Sequence, residues 1–269
     1  MGQRAPEINH NSEGGLSALP MAPGVRLRTV STDRPWAWLA AAWDDLRAAP
    51  VVSLGYGGLA VVSIYLLIWG LMAQGLHYLI LPMAAGFMLV GPVFAAGLYE
   101  TSRRREQGMR PTLYGSLGGF TRNTGQIVAV GFVLMLALLA WIRIAFLIFA
   151  LFFSMDPPAF DLLFDKIFHS EHTIPFLLTG TIIGGMIAAA VFALSAISIP
   201  MLLDRDAHVM EALGTSVAAT LHNWRTMAVW SGLIALFIGA GMVTAFLGLV
   251  VAFPLIGYAT WHAYRDLIT

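Results

Sequence analysis

An all-α membrane bundle of six transmembrane helices, built as three repeats of a surface helix followed by a helical hairpin, is the fold class this sequence predicts. Three observations lead there. Hydrophobic residues make up 58% of the chain and charged residues only 11%, far below the charged share of an ordinary soluble domain, so the apolar excess has to face lipid. Arginines gather in the polar breaks between long apolar runs, and Lys and Arg accumulate on the cytoplasmic side of bacterial membranes. Leu113, Ser116 and Asn123 also recur one hundred residues later as Leu213, Ser216 and Asn223, each set followed by an apolar run.

Residues 1–32 carry Gly, Pro, Ser and Asn among scattered charges, with neither apolar periodicity nor a signal-peptide core, and read as a disordered, mobile cytoplasmic tail. Residues 33–269 read as a single membrane domain. Pro35 to Arg47 places Trp36, Leu39, Trp43 and Leu46 at helical spacing, with Asp33 or Thr32 set to cap, and its tryptophans suit the headgroup level of the inner surface. The first span covers about 51–73. Gln74, Gly75 and His77 make a short outer turn, and the second span, about 76–98, carries Pro82 and Pro92 and runs into Glu100 and three arginines. A cytoplasmic connection follows, with a second surface helix over Leu113 to Asn123.

The third span, about 127–153, contains Arg143. Residues 154–173 form an acidic outer segment, with Asp156, Asp161, Asp165 and Glu171 against Lys166 and an apolar stripe from Phe160 to Phe168. The fourth span, about 176–203, is rich in Gly, Ala and Ser, which predicts close packing at a buried central position. The chain then returns to the cytoplasm through Asp204 to Thr226. The apolar run from Met227 to Tyr264 is too long for one crossing of a core about 30 Å thick, and divides into spans of about 227–245 and 248–264 that meet near Thr244 to Gly248. Both termini are then cytoplasmic, and the protein is a multi-pass component of the bacterial inner membrane.

Within the repeat, Ser116 and Ser216 and Asn123 and Asn223 are equivalent, and the returning spans carry Pro92, Pro200 and Pro254 ahead of a charged exit. The first surface helix matches more loosely, with Ala40, Ala41, Asp45 and Arg47 opposite Ala218, Ala219, Asn223 and Arg225. Repeats of one orientation place functional sites where they meet. The asparagines are positioned to cap, or to bind each other across the repeat.

Glu100, Arg103, Arg104 and Arg105 are the first site candidates, because guanidinium forks match the oxygens of a phosphate, an anionic lipid headgroup or an acidic partner; the same residues also serve as a topogenic signal. Arg143 is the second, an ionisable residue in a span, placed to snorkel outward or pair with an outer acid. His169 and His172 lie too few and too exposed to close a metal site. Trp224, Tyr258, Trp261 and Tyr264 read as belt residues at the interface. The absence of cysteine excludes disulfides, thiolate metal sites and covalently attached c-type haem. No Walker motif, nucleophile elbow or HExxH is present, so neither an enzyme nor a cofactor is expected.

WAWLAAAWDDLRAAPVVSLGYG (Trp36 to Gly57), GFMLVGPVFAAGLYETSRRRE (Gly86 to Glu106) and PLIGYATWHAYRDL (Pro254 to Leu267) resemble the signature blocks of an uncharacterised family of bacterial integral membrane proteins. Some members of that family carry the label of a cytochrome c oxidase subunit. A haem–copper catalytic subunit would need about twice as many spans and several membrane-embedded histidines, so for this chain the label implies association or assembly rather than electron transfer. The first functional reading is a non-catalytic scaffold, assembly or accessory protein of a respiratory complex, with lipid and other membrane subunits as partners and no nucleic acid. A small channel or transporter for an anionic or small solute is the second, and a lipid-binding protein is the third. A polar cavity reaching Arg143 favours transport; a dry bundle with an exposed small-residue face favours docking.

Overall fold

Local chemistry sets the helix ends. The first helix, α1 (Arg34–Ala48), starts with Pro35 in its first turn, where a missing N–H costs nothing, and Asp33 precedes it without making a side-chain cap. In the computed structural model, which describes residues 19–153 and 170–269, the described chain is all helical apart from turns, short 3-10 segments and one bridge between Leu27 and Ile268. Helix α2 (Pro50–Ala73) ends at a turn in which Gly75 takes a φ of 68°, and α3 (Ile80–Phe94) follows. Helix α4 (Ala96–Glu106) continues almost in line after a break at Ala95, just past Pro92.

The expected second surface helix is shorter than its spacing suggested. It is α5 (Leu113–Leu117), capped by Thr112 accepting from the Gly115 amide at 3.0 Å, and it tightens into a 3-10 turn at Gly118–Phe120 because two adjacent glycines disfavour the helix. Helix α6 (Thr124–Phe153) comes next. Helix α7 (Thr173–Ser195) breaks at Ala196 and Ile197 and continues as α8 (Ser198–Asp204), with Pro200 in the first turn. Helix α9 (Val209–His222) is started by a capping box between His208 and Glu211, and α10 (Trp224–Val243) turns through left-handed Ala245 and Phe246 into α11 (Leu249–Leu267).

Among the described residues, five helical stretches are long and apolar enough to cross a membrane: Pro50–Ala73, His77–Glu106, Thr124–Phe153, Thr173–Asp204 and Trp224–Val243. Helix α11 falls outside that set. It is instead the most enclosed helix, wrapped by α1, α2, α4 and α10, with Tyr258, Trp261 and Tyr264 fully buried. These aromatics are therefore core residues and not a belt; Trp224 is 61% exposed, with the Arg225 guanidinium 5.2 Å from its ring centre. Helix α2 approaches α11 so closely that a Cβ at Gly57 would overlap the Val250 carbonyl, the group that Pro254 leaves without its helical donor.

Two further expectations meet a different structure. Residues 19–32 do not hang free: Arg26 and Thr269 exchange backbone hydrogen bonds at 3.1 Å, and the Arg28 amide donates to Leu267 at 2.9 Å, so this stretch straps the chain's two ends together. Residues 1–18 lie outside the described residues. Helix α7 is not buried at the centre: Gly185, Ala188, Ala189 and Ala190 are exposed, and Gly184 alone of its paired glycines meets a neighbour, Trp141. Small residues permit close packing, but only a facing helix can make use of it.

Candidate functional site

The helices converge at one end on a charged layer, and α4 supplies most of it. Its sequence YETSRRRE sets Glu100 three and four residues before Arg103 and Arg104, the spacing at which helical side chains meet. Glu100 accepts from Arg103 at 2.8 Å and from Arg104 at 2.7 Å, and its side chain is 2% exposed. The third arginine, Arg105, turns to Asp45 of α1, which also accepts from Ser102 and lies 3.0 Å from Nε2 of His262 on α11. All three candidate arginines therefore direct guanidinium groups to carboxylates of the chain itself.

Helix α11 completes the layer. Trp261 donates to Glu106 at 2.9 Å, Tyr264 donates to Asp204 at 2.7 Å, and Arg265 lies 3.3 Å from Glu106. Asp266 accepts from Arg34 at 2.7 Å and from Trp38 at 2.9 Å. Burial pushes the Asp266 carboxyl up, but those hydrogen bonds and the charges of Arg34 and Arg28 outweigh it and hold it below the usual carboxylate range. Bonding to Asp266 correspondingly raises Arg34.

The positions that the sequence pairs each hold a segment or helix distant in the chain. Asn123 donates to the Ala207 carbonyl at 3.1 Å, just before α9, and Asn223 takes the Val30 amide at 2.9 Å and donates to the Arg28 carbonyl at 2.9 Å, just before α1. Asp45 reaches Ser102 and Arg105, ahead of α5. Ser116 bonds Thr101 of α4 at 2.7 Å, while Ser216 accepts from Ile197 and donates to Ala193 at the break between α7 and α8. The asparagines thus bind backbone of the incoming segments and not each other.

Residues 79–204 match the family described as "Predicted integral membrane protein (DUF2189)". The match spans a little under half of the chain, from the 3-10 turn before α3 to the end of α8. The DUF2189 segment contains Pro92, the Glu100 to Arg105 cluster, Ser116, Asn123, Arg143 and Pro200, whereas Asp45, Ser216, Asn223 and Pro254 lie outside it. This agrees with the resemblance to an uncharacterised membrane family; the chain is a multi-pass integral membrane protein. No curated protein and no solved structure matches it.

Arg143 sits apart from the charged layer, exposed on α6, and among the described residues it makes no ion pair. The acids expected to pair with it, from Asp156 to Asp165, and His169 lie outside the described residues; His172 packs against Phe152 and Phe153. Behind the charged layer, between α3, α7, α10 and α11, is a void of about 70 Å³, or about 570 Å³ with its open part included. No charged side chain lines it, and it does not reach Arg143. Sequence reasoning missed Ser102, His262 and Asp266 as members of the layer; the one usable signal was Asp45, which falls within a helical turn of Ala42 and Leu46 on the buried face of α1.

Proposed function

We propose that this chain is a non-catalytic accessory or scaffold protein of the bacterial inner membrane, which docks a partner's membrane helix on α7. The observation that carries the reading is the uncovered small-residue face of α7, with Gly185, Ala188 and Ala189 open while the charged end of the bundle is knitted shut. Small residues let two backbones approach closely in lipid, where packing and not apolar burial drives helix association.

The finer architecture follows from the same contacts. Helix α11 is the sixth span, and its polar side chains are tolerable because neighbouring helices cover them. Three repeats related around an axis are supported by Asp45, Asn123 and Asn223, each of which holds the segment leading into the next surface helix, with Asn223 closing the ring on α1. The strap and the end of α11 share the arginine-rich end, which supports the reading that this end faces the cytoplasm. An anion path finds little support, since the void carries no charge and Arg143 lies away from it. Respiratory subunits are the partners to look for first.

The test is a photo-crosslinking amino acid introduced at Ala188 of α7, and for comparison at Leu139 of α6, in native membranes. A discrete adduct with another membrane protein at Ala188 and none at Leu139 is the expected result. Equal crosslinking at both positions, or none at Ala188 above background lipid, overturns the docking reading.

A further inference from the structure

The void behind the charged layer is an elongated slot with a polarity gradient. Along α10 it runs from Trp230 to Ile238, about 12 Å at the helical rise per residue. Its end nearest the charged layer carries the hydroxyls of Tyr99, Ser195 and Thr260; its far end is Phe87, Ile238 and Phe253. Four helices approaching in both directions agree on this gradient, because Tyr99 and Thr260 close their helices' stretch of wall at the same level as Ser195 and Trp230.

The polar end is unsatisfied. Tyr99 and Ser195 are each only 2% exposed and both line the slot, and no hydrogen bond ties either hydroxyl to another of the described residues. Thr260 bonds only within its own helix, to Ile256 at 2.8 Å. Met88 and Ala196 also line the slot, and Pro92 and Pro200 deny their carbonyls the usual donor four residues on. Donors and acceptors buried without partners are costly unless something else binds them. One turn beyond Ser195, the hydroxyl of Ser198 is fully buried and unpaired as well.

The walls decide what that something is. An ionised head would have no counter-charge here, so the head is neutral. The enclosed volume of about 70 Å³ takes a group of a few atoms and no more. Helices α7 and α10 both line the slot but do not pack on each other as their other neighbours do, and α9 bridges them only at the charged end. The void is partly open, and along this seam Phe192, Ile234 and Ile238 offer a chain an apolar wall to lie against.

We propose that the slot binds a membrane-dissolved, single-chain amphiphile with a small uncharged head bearing a hydroxyl, which enters between α7 and α10. The head bonds Tyr99 and Ser195, and the chain occupies the apolar end and the seam. This site is distinct from the partner-docking face of α7 and stands or falls separately.

The experiment uses the full chain in phosphatidylcholine nanodiscs with hexadecanol carrying a mid-chain diazirine. Its fatty-acid and trimethylammonium counterparts serve as charged comparisons, and labelled peptides are mapped by mass spectrometry. Saturable labelling around Phe192, Ile234 and Ile238 by the alcohol, competed by plain hexadecanol and weak for both charged probes, is the expected result. The double variant Tyr99→Phe with Ser195→Ala, which keeps the packing shape, should weaken binding about tenfold through two lost hydrogen bonds. Equal labelling by all three probes overturns the proposal, as does labelling confined to lipid-facing Leu236 and Val243. So does a fully folded double variant that binds as before, which would leave the slot a hydrated void.

Discussion

Helices α7 and α11 are alike in length, 23 and 19 residues, and they have opposite fates. Helix α11 is enclosed by α1, α2, α4 and α10, and it carries Tyr258, Trp261, His262, Tyr264, Arg265 and Asp266, most of them bonded to a neighbouring helix. Among the described residues helix α7 packs chiefly on α6, α9 and α3, and it has no charged residue at all between Thr173 and Ser195. Enclosure by protein lets a span carry polar chemistry, whereas lipid on one side restricts it to apolar and small residues. The difference teaches that hydropathy in this chain reports a helix's neighbours as much as its path across the membrane.

The sharpest way to break the comparison is to empty one site on each helix. Trp261→Ala removes a fully buried indole and leaves Glu106 short of a donor, with an expected cost of about 3 to 5 kcal/mol. Ile182→Ala on α7, where the side chain is 54% exposed, should cost far less, and reversible denaturation in mixed micelles measures both. Similar losses would mean that α7 is covered after all.

A finer version compares glycines. Gly57→Ala drives a Cβ into the Val250 carbonyl and should cost about 1 to 3 kcal/mol by pushing α2 off α11. Gly185→Ala meets nothing and should stay within about 0.5 kcal/mol. Thermal unfolding of the two variants side by side reads the contrast.

The smallest effect concerns pH. Because Asp266 is held below its unfolded value, its contribution is complete above the ordinary carboxylate pKa of about 4 and is lost as pH falls through the lower folded value. Asp266→Asn should therefore lower stability at neutral pH and flatten this part of the acid dependence, as thermal midpoints across a pH series would record.

The spans were legible because lipid imposes a composition on any helix that touches it, and the turn near Thr244 was legible from length alone. Asn123 and Asn223 were legible as residues standing directly before long apolar helices. Their partners were not, because a side-chain amide holding the backbone of Ala207 or Val30 leaves no mark on periodicity. Trp261 and Tyr264 were misread for a related reason: an interfacial belt and a polar-edged core call for the same amphipathic aromatics. The small residues of α7 signalled close packing correctly as a capacity, while the sequence is silent on whether the facing helix belongs to the same chain.

The bond between Trp38 and Asp266 joins residues 228 positions apart. At ribosomal rates of about 5 to 20 residues per second, helix α1 waits roughly 10 to 45 s for the helix that buries it. For most of that interval Trp38 lacks both Asp266 and Trp230, whose ring lies edge-on to its own at 5.7 Å, although α2 is already long enough to be in the membrane. Helix α1 is therefore made early and finds its main cover late, after almost all of the membrane-crossing stretches have been synthesised.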